Sequence, residues 1–435
     1  MKSKKFIFAA IALASGATVG MAHAQATTEQ LQKALTDAKQ AAERAQAAAT
    51  AAEEVLARVQ AAAKAQAGVQ PTASTAASLP SGISVTGSID VGLRATTNTD
   101  GTKNKTELIN NNASTSLIFF KGNKVLSDNL NASFLLELDF NATQSSTTNG
   151  TAASNAFTGT PFTGEQYVAL SGGFGDIKLG SPNASALIAA VTAQPFATNL
   201  GSGYSGTFGR LGTASVSGIN QFSGALSGRI IRHEKTVMYT TPELNGLSAS
   251  VEHALGNDNS TAATGNSNTY TSLALRYKKG PWNAIYSHTN EKAGGSAAAG
   301  AATAIGTAAV GVLPVGTSVT WNILAANYTF GSTTIYGGYS STEHNATTPL
   351  ENSSSWNIAG KYVLSPKFWL LGNYVTRNSR LATTPNANML GLGVNYLLDD
   401  NTIIYGRYEG LKFDALGAIG SQAQNTWAVG VQYKF

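Results

Sequence analysis

The side chains that could carry covalent or metal chemistry are few and are not grouped in the sequence. There is no cysteine among the 435 residues, which excludes disulfides, thiolate metal sites and a cysteine nucleophile. Several histidines stand among many serines, but no serine lies in a nucleophile elbow and no two histidines have metal-ligand spacing. The segment GSGYSG at 201–206 matches G-x-G-x-x-G, yet no strand–helix pattern surrounds it. We therefore predict no enzyme, no cofactor and no metal.

Charged side chains form a second candidate set, because many stand on the polar side of alternating segments. In ISVTGSIDVGLR, Asp90 and Arg94 share one face, and isoleucine, valine and leucine occupy the other. In NASFLLELDF, Glu137 and Asp139 are likewise opposite an apolar face. A period of two predicts β-strands with one polar and one apolar side.

About sixteen such runs follow Gly82, and many are about 10 residues long, the length of a tilted membrane-spanning strand. They lie at 83–94, 115–121, 131–140, 165–171, 174–180, 235–240, 246–255, 269–277, 281–290, 319–330, 333–341, 354–363, 367–377, 386–397, 401–411 and 427–435. Short turn-rich connections alternate with long loops rich in Gly, Asn, Thr and Ala. The long loops are predicted at 95–112, 141–163, 182–228, 256–268, 291–318, 342–353, 378–385 and 412–423.

These features predict an all-β fold over residues 82–435, a 16-stranded antiparallel transmembrane β-barrel. A soluble β-sandwich would also alternate, but it would not need alternating loop lengths. Charged residues are only 12% of the chain, about half the usual share, which suits a surface that meets lipid. Aromatic residues crowd the strand ends, as in KKGPWNAIYS and KYVLSPKFWLL, and such residues form the girdles of membrane barrels.

Residues 1–24 have the features of a secretory signal peptide. Three lysines precede an apolar stretch, and AHA at 22–24 is a small-x-small cleavage site. A short membrane anchor is the alternative, but Ser and Gly interrupt the apolar stretch. Because three lysines lie in this segment, its removal lowers the formal charge from +5 to +2, and we predict no nucleic-acid partner.

Residues 25–67 are predicted to form an α-helical coiled coil, followed by a Pro/Ser/Ala/Thr linker at 68–81. From 27 to 67 the chain has no Gly or Pro, and Leu31, Leu35, Leu56 and Val59 fall on one heptad seam. An alanine-rich single helix is the alternative, since alanine fits almost any register. About 40 helical residues would form a rod of roughly 60 Å.

The barrel region resembles the general porins of β-proteobacteria and neisseriae. The resemblance is carried by SGISVTGSIDVGL, FFKGNKVLSDNLNASFLLELDF, EQYVALSGGFGDIKLGS and RHEKTVMYTTPELNGLSASVEH. It implies a sixteen-stranded homotrimeric barrel whose third loop folds inward and narrows the pore. It also implies that the C-terminal strand, with Tyr433 and Phe435, is the signal recognised by the barrel-assembly machinery. This chain has Ser181 and Thr115 where the family commonly has basic residues.

The predicted constriction loop, 182–228, contains no Asp or Glu and only one charged residue. Pore selectivity depends on the charges at the narrowest point, so we predict an anion preference. The alternative is that the charges of the lumen pair with one another and give little bias. The predicted pore-lining residues are Arg94, Lys178, Arg210, Arg229, Arg232, Arg276, Arg377, Arg407, Glu137 and Asp139.

The sequence therefore predicts a porin for small hydrophilic solutes in outer-membrane lipid, with its coiled coil in the periplasm. The hypothesis for the rod is that it braces the trimer or contacts peptidoglycan. A trimeric autotransporter adhesin also joins a coiled coil to a barrel, but contributes only about four strands per chain. An outer-membrane hydrolase and a substrate-specific channel are further alternatives. The former needs a Ser–His constellation, and the latter needs an aromatic track inside the lumen.

Overall fold

The computed structural model describes the part of the chain that follows the predicted linker. The described residues are 82–97, 104–143, 164–203, 207–211, 214–217, 232–255, 269–292, 318–345, 352–380, 385–415 and 420–435. The predicted signal peptide (1–24), coiled coil (25–67, with Leu31, Leu35, Leu56 and Val59) and linker (68–81) lie outside these residues. No helix in the described part is long and apolar enough to span a membrane.

The described residues contain nineteen strands and one short helix. In chain order they are β1 (Ile83–Thr96), β2 (Lys105–Asn110), β3 (Leu117–Ser127), β4 (Leu130–Asp139), β5 (Gln166–Gly172), β6 (Gly175–Ser181), α1 (Ser185–Thr192), β7 (Thr207–Leu211), β8 (Ala214–Ser217), β9 (Thr236–Thr240), β10 (Leu247–Ala254), β11 (Thr269–Lys279), β12 (Trp282–Lys292), β13 (Ser318–Phe330), β14 (Thr333–His344), β15 (Ser353–Ser365), β16 (Phe368–Ser379), β17 (Ala387–Leu397), β18 (Thr402–Phe413) and β19 (Gln422–Lys434). Strands β7 and β8 pair only with each other.

The other seventeen strands form one antiparallel sheet that closes on itself. From β3 onward each of these strands pairs with the next one along the chain, and β1 pairs with β19, with Val91 opposite Val431 and Asp90 opposite Gln432. Strands β2 and β3 both pair with β1, so they are two parts of one interrupted strand. The barrel therefore has sixteen membrane-spanning strands, as predicted. The expected loop at 95–112 is shorter than predicted, because residues 105–110 already belong to the second spanning strand.

The interruption between β2 and β3 is built around one buried carboxylate. Asp90 is fully buried, and its Oδ2 accepts the backbone N–H groups of Ala113 at 2.7 Å and Ser114 at 2.5 Å. Asn111 has φ of 61°, a left-handed conformation that Asn tolerates better than most residues. A side chain of β1 thus takes the place of ladder hydrogen bonds where the second strand leaves the sheet.

The outer and inner faces alternate as the sequence pattern predicts. On β19, Trp427, Val429, Val431 and Tyr433 point outward and are 46–55% exposed, whereas the inward Gln432 is 9% exposed. Removing apolar surface from water stabilises a protein by roughly 25 cal/mol per Å², and an outer face exposed to water would lack this stabilisation. A continuous outer band of such residues is therefore suited to lipid.

Short turns lie at one rim of the barrel, named here the short-turn rim, and the long connections lie at the other. Gly280 and Gly331, in the turns after β11 and β13, have φ of 57° and 52°, a region that glycine enters without the steric cost of a Cβ. In the turn after β17, Asp399 Oδ1 accepts the N–H groups of Asn401 at 2.8 Å and Thr402 at 2.6 Å. These bonds, with that of Asn401 first, lower the pKa of the exposed Asp399 carboxyl, so this turn loses stability as the pH falls through that pKa.

The last residue of the chain belongs to the ladder at the short-turn rim. Phe435 O accepts the N–H of Gly87 at 2.8 Å, and Phe435 N donates to Gly87 O at 3.1 Å. The Phe435 ring covers Gly87, where any Cβ would overlap it. The terminal aromatic residue therefore completes the seam between the first and last strands.

Replacing Phe435 with Ala removes this ring from the seam. We expect less folded barrel in the membrane fraction, while the barrels that do insert keep the native single-channel conductance. Heat-modifiable gel mobility and bilayer recording measure the two quantities. Phe330→Ala is the matched control, because Phe330 is an exposed aromatic residue at the same rim but on an internal strand. Equal losses in the two variants would contradict a special role for the C-terminal strand.

Candidate functional site

The chain turns into the barrel interior directly after β6. The segment 182–203 is named here the inward loop. Near its start, the N–H and Nδ2 of Asn183 both donate to the Glu165 carboxylate at 2.9 Å. Helix α1, with the sequence SALIAAVT, follows at once. Its alanine, leucine and isoleucine content favours a helix.

A carboxylate from the barrel wall caps the N-terminus of α1. Ala184 at the N-cap position has no side-chain cap, so the first N–H groups of the helix need another acceptor. Glu252 of β10, only 1% exposed, accepts the Ser185 N–H at 2.6 Å through Oε1. A negative group at a helix N-terminus is also favoured by the helix dipole. Glu252 therefore anchors the loop and does not present its charge to the lumen.

The apolar face of α1 packs on an unusually apolar part of the inner wall. The buried cluster joins Ala186, Ala189, Ala190 and Ala193 of the loop region to inward side chains of β11, β12 and β13. These wall residues are Ala274, Ile285, Val319, Trp321, Ile323 and Ala325. A barrel wall that faces water is normally polar, so the inward apolar residues of β13 mark the place where the loop docks.

The second half of the inward loop is held by asparagine side chains of the wall. Asn327 Nδ2 donates to Thr192 O at 3.0 Å, and Asn357 Nδ2 donates to Ala193 O at 2.7 Å. Asn373 Nδ2 donates to Gly201 O at 3.1 Å. These bonds satisfy carbonyl groups that have no partner in a helix or sheet.

A second buried carboxylate completes the attachment. Glu409 of β18, 4% exposed, accepts the Gly201 N–H at 2.9 Å through Oε2. Two carboxylates and three amides thus fix a segment of irregular backbone against the inner wall. Of the predicted constriction loop, 182–228, the described residues 182–203 lie against the inner wall, and the hydrogen-bonding side chains of Glu252, Glu409 and the three asparagines come from five different strands.

Three of the predicted charged residues form one cluster beside the start of the loop. Arg232 Nη1 lies 3.5 Å from Glu137 Oε2, and Arg232 Nη2 lies 4.0 Å from Asp139 Oδ2. Arg232 Nη1 also donates to Asn183 Oδ1 at 2.7 Å. Glu137 Oε2 in turn accepts the Glu165 N–H at 2.7 Å. Within this cluster the charges are paired with one another.

A second cluster lies at the seam between the first and last strands. Arg94 Nε donates to Asn112 Oδ1 at 2.8 Å, and the buried Asp90 accepts a hydrogen bond from Tyr405. Arg407 points inward but is only 6% exposed, and its Nη1 donates to the carbonyls of Val394 at 3.0 Å and Gly406 at 2.9 Å.

The remaining predicted residues occupy different environments. Arg276 points inward, half-buried, and its Nε donates to Asn283 Oδ1 at 3.2 Å. Lys178 lies 4.0 Å from Asp176, whereas Arg377 points inward but is 3% exposed. The backbone of Arg210 belongs to β7, and Arg229 lies outside the described residues.

Three lysines of the inner wall lie over aromatic rings, a feature that was not predicted from the sequence. Their Nζ atoms lie 4.4, 4.6 and 4.1 Å from the ring centroids in the pairs Lys121–Phe119, Lys178–Tyr167 and Lys361–Trp369. Phe119 and Lys121 are two apart on one strand, so the period of two could have revealed that pair. The prediction that Trp369 belongs to an outer aromatic girdle is wrong, because its side chain points into the lumen.

A closed antiparallel barrel with an apolar outer band, a polar interior and an inward loop defines a membrane channel of the outer-membrane type. Residues 9–416 match the sequence model of a family described as Gram-negative porin. The chain belongs to that family and is an outer-membrane porin. Curated protein sequences contain no significant match to it.

Solved porins share this fold. The chain is similar to the anion-selective porin from Comamonas acidovorans, at 20% identity and a TM-score of 0.63, over 81% of this chain and 99% of that one. It is similar to OmpT of Vibrio cholerae in its trimer form, at 14% identity and a TM-score of 0.55, over 81% and 99%. It is also similar to Salmonella typhi OmpF in complex with daunomycin, at 14% identity and a TM-score of 0.54, over 81% and 97%.

The hydrogen bond from the Ser185 N–H to Glu252 should help to hold the inward loop in place. Removal of a charge-assisted hydrogen bond at a buried site costs about 1–3 kcal/mol, so Glu252→Ala should loosen the N-terminus of α1. We expect a larger mean single-channel conductance and more current noise in planar bilayers. Glu252→Gln keeps an acceptor oxygen and should stay close to native. Identical traces for Glu252→Ala and the native channel would show that this bond does not hold the loop.

Proposed function

We propose that the chain forms a water-filled, anion-preferring channel for passive diffusion of small hydrophilic solutes and ions, assembled as a homotrimer. The proposal rests on which inward charges face water. Three strongly buried carboxylates, Asp90, Glu252 and Glu409, accept hydrogen bonds from backbone N–H groups of the second strand and the inward loop. Their fields are compensated locally, so they contribute less to the potential of the open lumen.

Five inward basic side chains keep more contact with the lumen than these carboxylates, whereas Arg377 and Arg407 are buried. Arg94, Lys121, Lys178, Arg276 and Lys361 are only half-buried. Among the half-buried carboxylates, Asp176 lies beside Lys178, and Asp139 lies beside Arg232. Hydrated basic groups on the wall favour anions over cations. A neighbour of the same fold, the porin from Comamonas acidovorans, is anion-selective, which is consistent with the proposal.

The trimer and the periplasmic spacer belong to the same proposal. OmpT of Vibrio cholerae, a structural neighbour, has a trimer form. Because β1 begins at the short-turn rim, a coiled coil that precedes it would leave the barrel on the periplasmic side. There the rod would brace the trimer or contact peptidoglycan. Insertion would depend on the barrel-assembly machinery recognising the strand that ends at Phe435.

Charge reversal tests the anion preference. In a KCl gradient, the native channel should give a reversal potential of the sign expected for chloride preference. The double variant Lys178→Glu and Arg276→Glu should lower the anion-to-cation permeability ratio roughly twofold or more, because both groups face the lumen. Lys412→Glu is the control, since Lys412 is exposed and points outward on β18. Cation preference of the native channel, or an equal shift with Lys412→Glu, would refute the proposal.

Deleting residues 25–68 tests the spacer. The truncated protein should form trimers that dissociate at a lower temperature, or should no longer sediment with purified peptidoglycan. Semi-native electrophoresis after heating and a sedimentation assay measure these effects. A truncated protein unchanged in both assays would show that the segment has neither role.

A further inference from the structure

Four inward side chains occupy neighbouring positions on the inner wall near the short-turn rim. Tyr336, Lys361, Trp369 and Asn395 lie on the consecutive strands β14, β15, β16 and β17, each within four residues of a strand end at that rim. Trp369 is directly opposite Asn395. Lys361 is opposite Thr334 and Leu371, which makes Tyr336 and Trp369 its diagonal neighbours on the two adjacent strands.

The ammonium group of this patch is available to an anion. Lys361 Nζ lies 4.1 Å from the Trp369 ring centroid, and the side chain is half-buried. Within the described residues, no carboxylate lies within 4.0 Å of it, in contrast to Lys178 with Asp176. The ring positions the ammonium without neutralising its charge.

The amide of Asn395 supplies a second unmet interaction. Its Oδ1 is buried and has no hydrogen-bond partner in the described part of the chain. A buried acceptor without a donor is unfavourable, so a solute hydroxyl would stabilise this oxygen once the Asn395 side chain turns toward the lumen. The patch thus combines a cation, two aromatic rings and an unpartnered amide oxygen on one stretch of wall.

We propose that Tyr336, Lys361, Trp369 and Asn395 form a binding site for hydroxylated aromatic carboxylates on the periplasmic side of the channel. The carboxylate pairs with Lys361, the ring contacts Trp369 and Tyr336, and the hydroxyl donates to Asn395. This inference rests on the proposed function, since the solute must enter the lumen. The site would give a channel with a general anion preference a particular affinity for one class of solute.

Block of the single-channel current tests the site, using the full-length protein in planar bilayers. 4-Hydroxybenzoate, added at the short-turn side, should interrupt the current in a concentration-dependent manner. Lys361→Gln and Trp369→Leu should each raise the half-blocking concentration about threefold to tenfold, the range for losing one ionic or ring contact. Lys361→Arg retains the charge and should preserve block. Asn395→Ala should weaken block by 4-hydroxybenzoate to the level seen with benzoate.

Lys121→Gln is the matched control, because Lys121 lies over Phe119 in the same kind of pair on another part of the wall. Equal weakening by Lys121→Gln and Lys361→Gln would overturn the site in favour of a general basic field. Equal block by cyclohexanecarboxylate and 4-hydroxybenzoate would also overturn it, because the aromatic ring would then contribute nothing. An anion-selective channel that 4-hydroxybenzoate does not block would overturn this inference alone, whereas a cation-selective or non-conducting protein would overturn the proposed function.

Discussion

Every strand of this barrel depends on one constraint, the absence of water as a hydrogen-bond partner in the hydrocarbon core of a membrane. A strand edge left open to lipid would leave a row of unpaired N–H and C=O groups, each costing several kcal/mol. The pairing of β1 with β19 removes that edge. The final Phe435, bonded to Gly87 through both of its backbone polar groups, extends this pairing to the last residue.

The need for hydrogen-bond partners also explains how the inward loop is attached inside the barrel. The inward loop is not part of the sheet, so its backbone must find acceptors and donors on the wall. Glu252, Glu409 and the asparagines Asn327, Asn357 and Asn373 supply them. The apolar face of α1 also packs against buried apolar side chains of β11 to β13. Loop position is therefore set by buried hydrogen bonds and close packing together, and each contact limits the freedom of the next.

The electrostatic character of the lumen follows from this architecture. Acidic residues are most useful where backbone N–H groups need acceptors, and there they become buried. The lysines have long aliphatic stems that can lie along aromatic rings while the ammonium stays near water. Three carboxylates, Asp90, Glu252 and Glu409, are therefore buried, whereas Lys121, Lys178 and Lys361 stay half-buried.

The sequence alone determined the barrel, the number of spanning strands, the rim of the short turns and the outward direction of every second residue from Trp427 to Phe435. Those features depend on a period of two and on local turn chemistry, and both are visible in neighbouring residues. It could not show that Glu252 caps a helix 67 positions earlier, that Asp90 interrupts the second strand, or that Trp369 meets Lys361 inside the lumen. Such contacts join residues that are distant in sequence or separated by a turn, and the closure and register of the folded barrel decide which side chains meet.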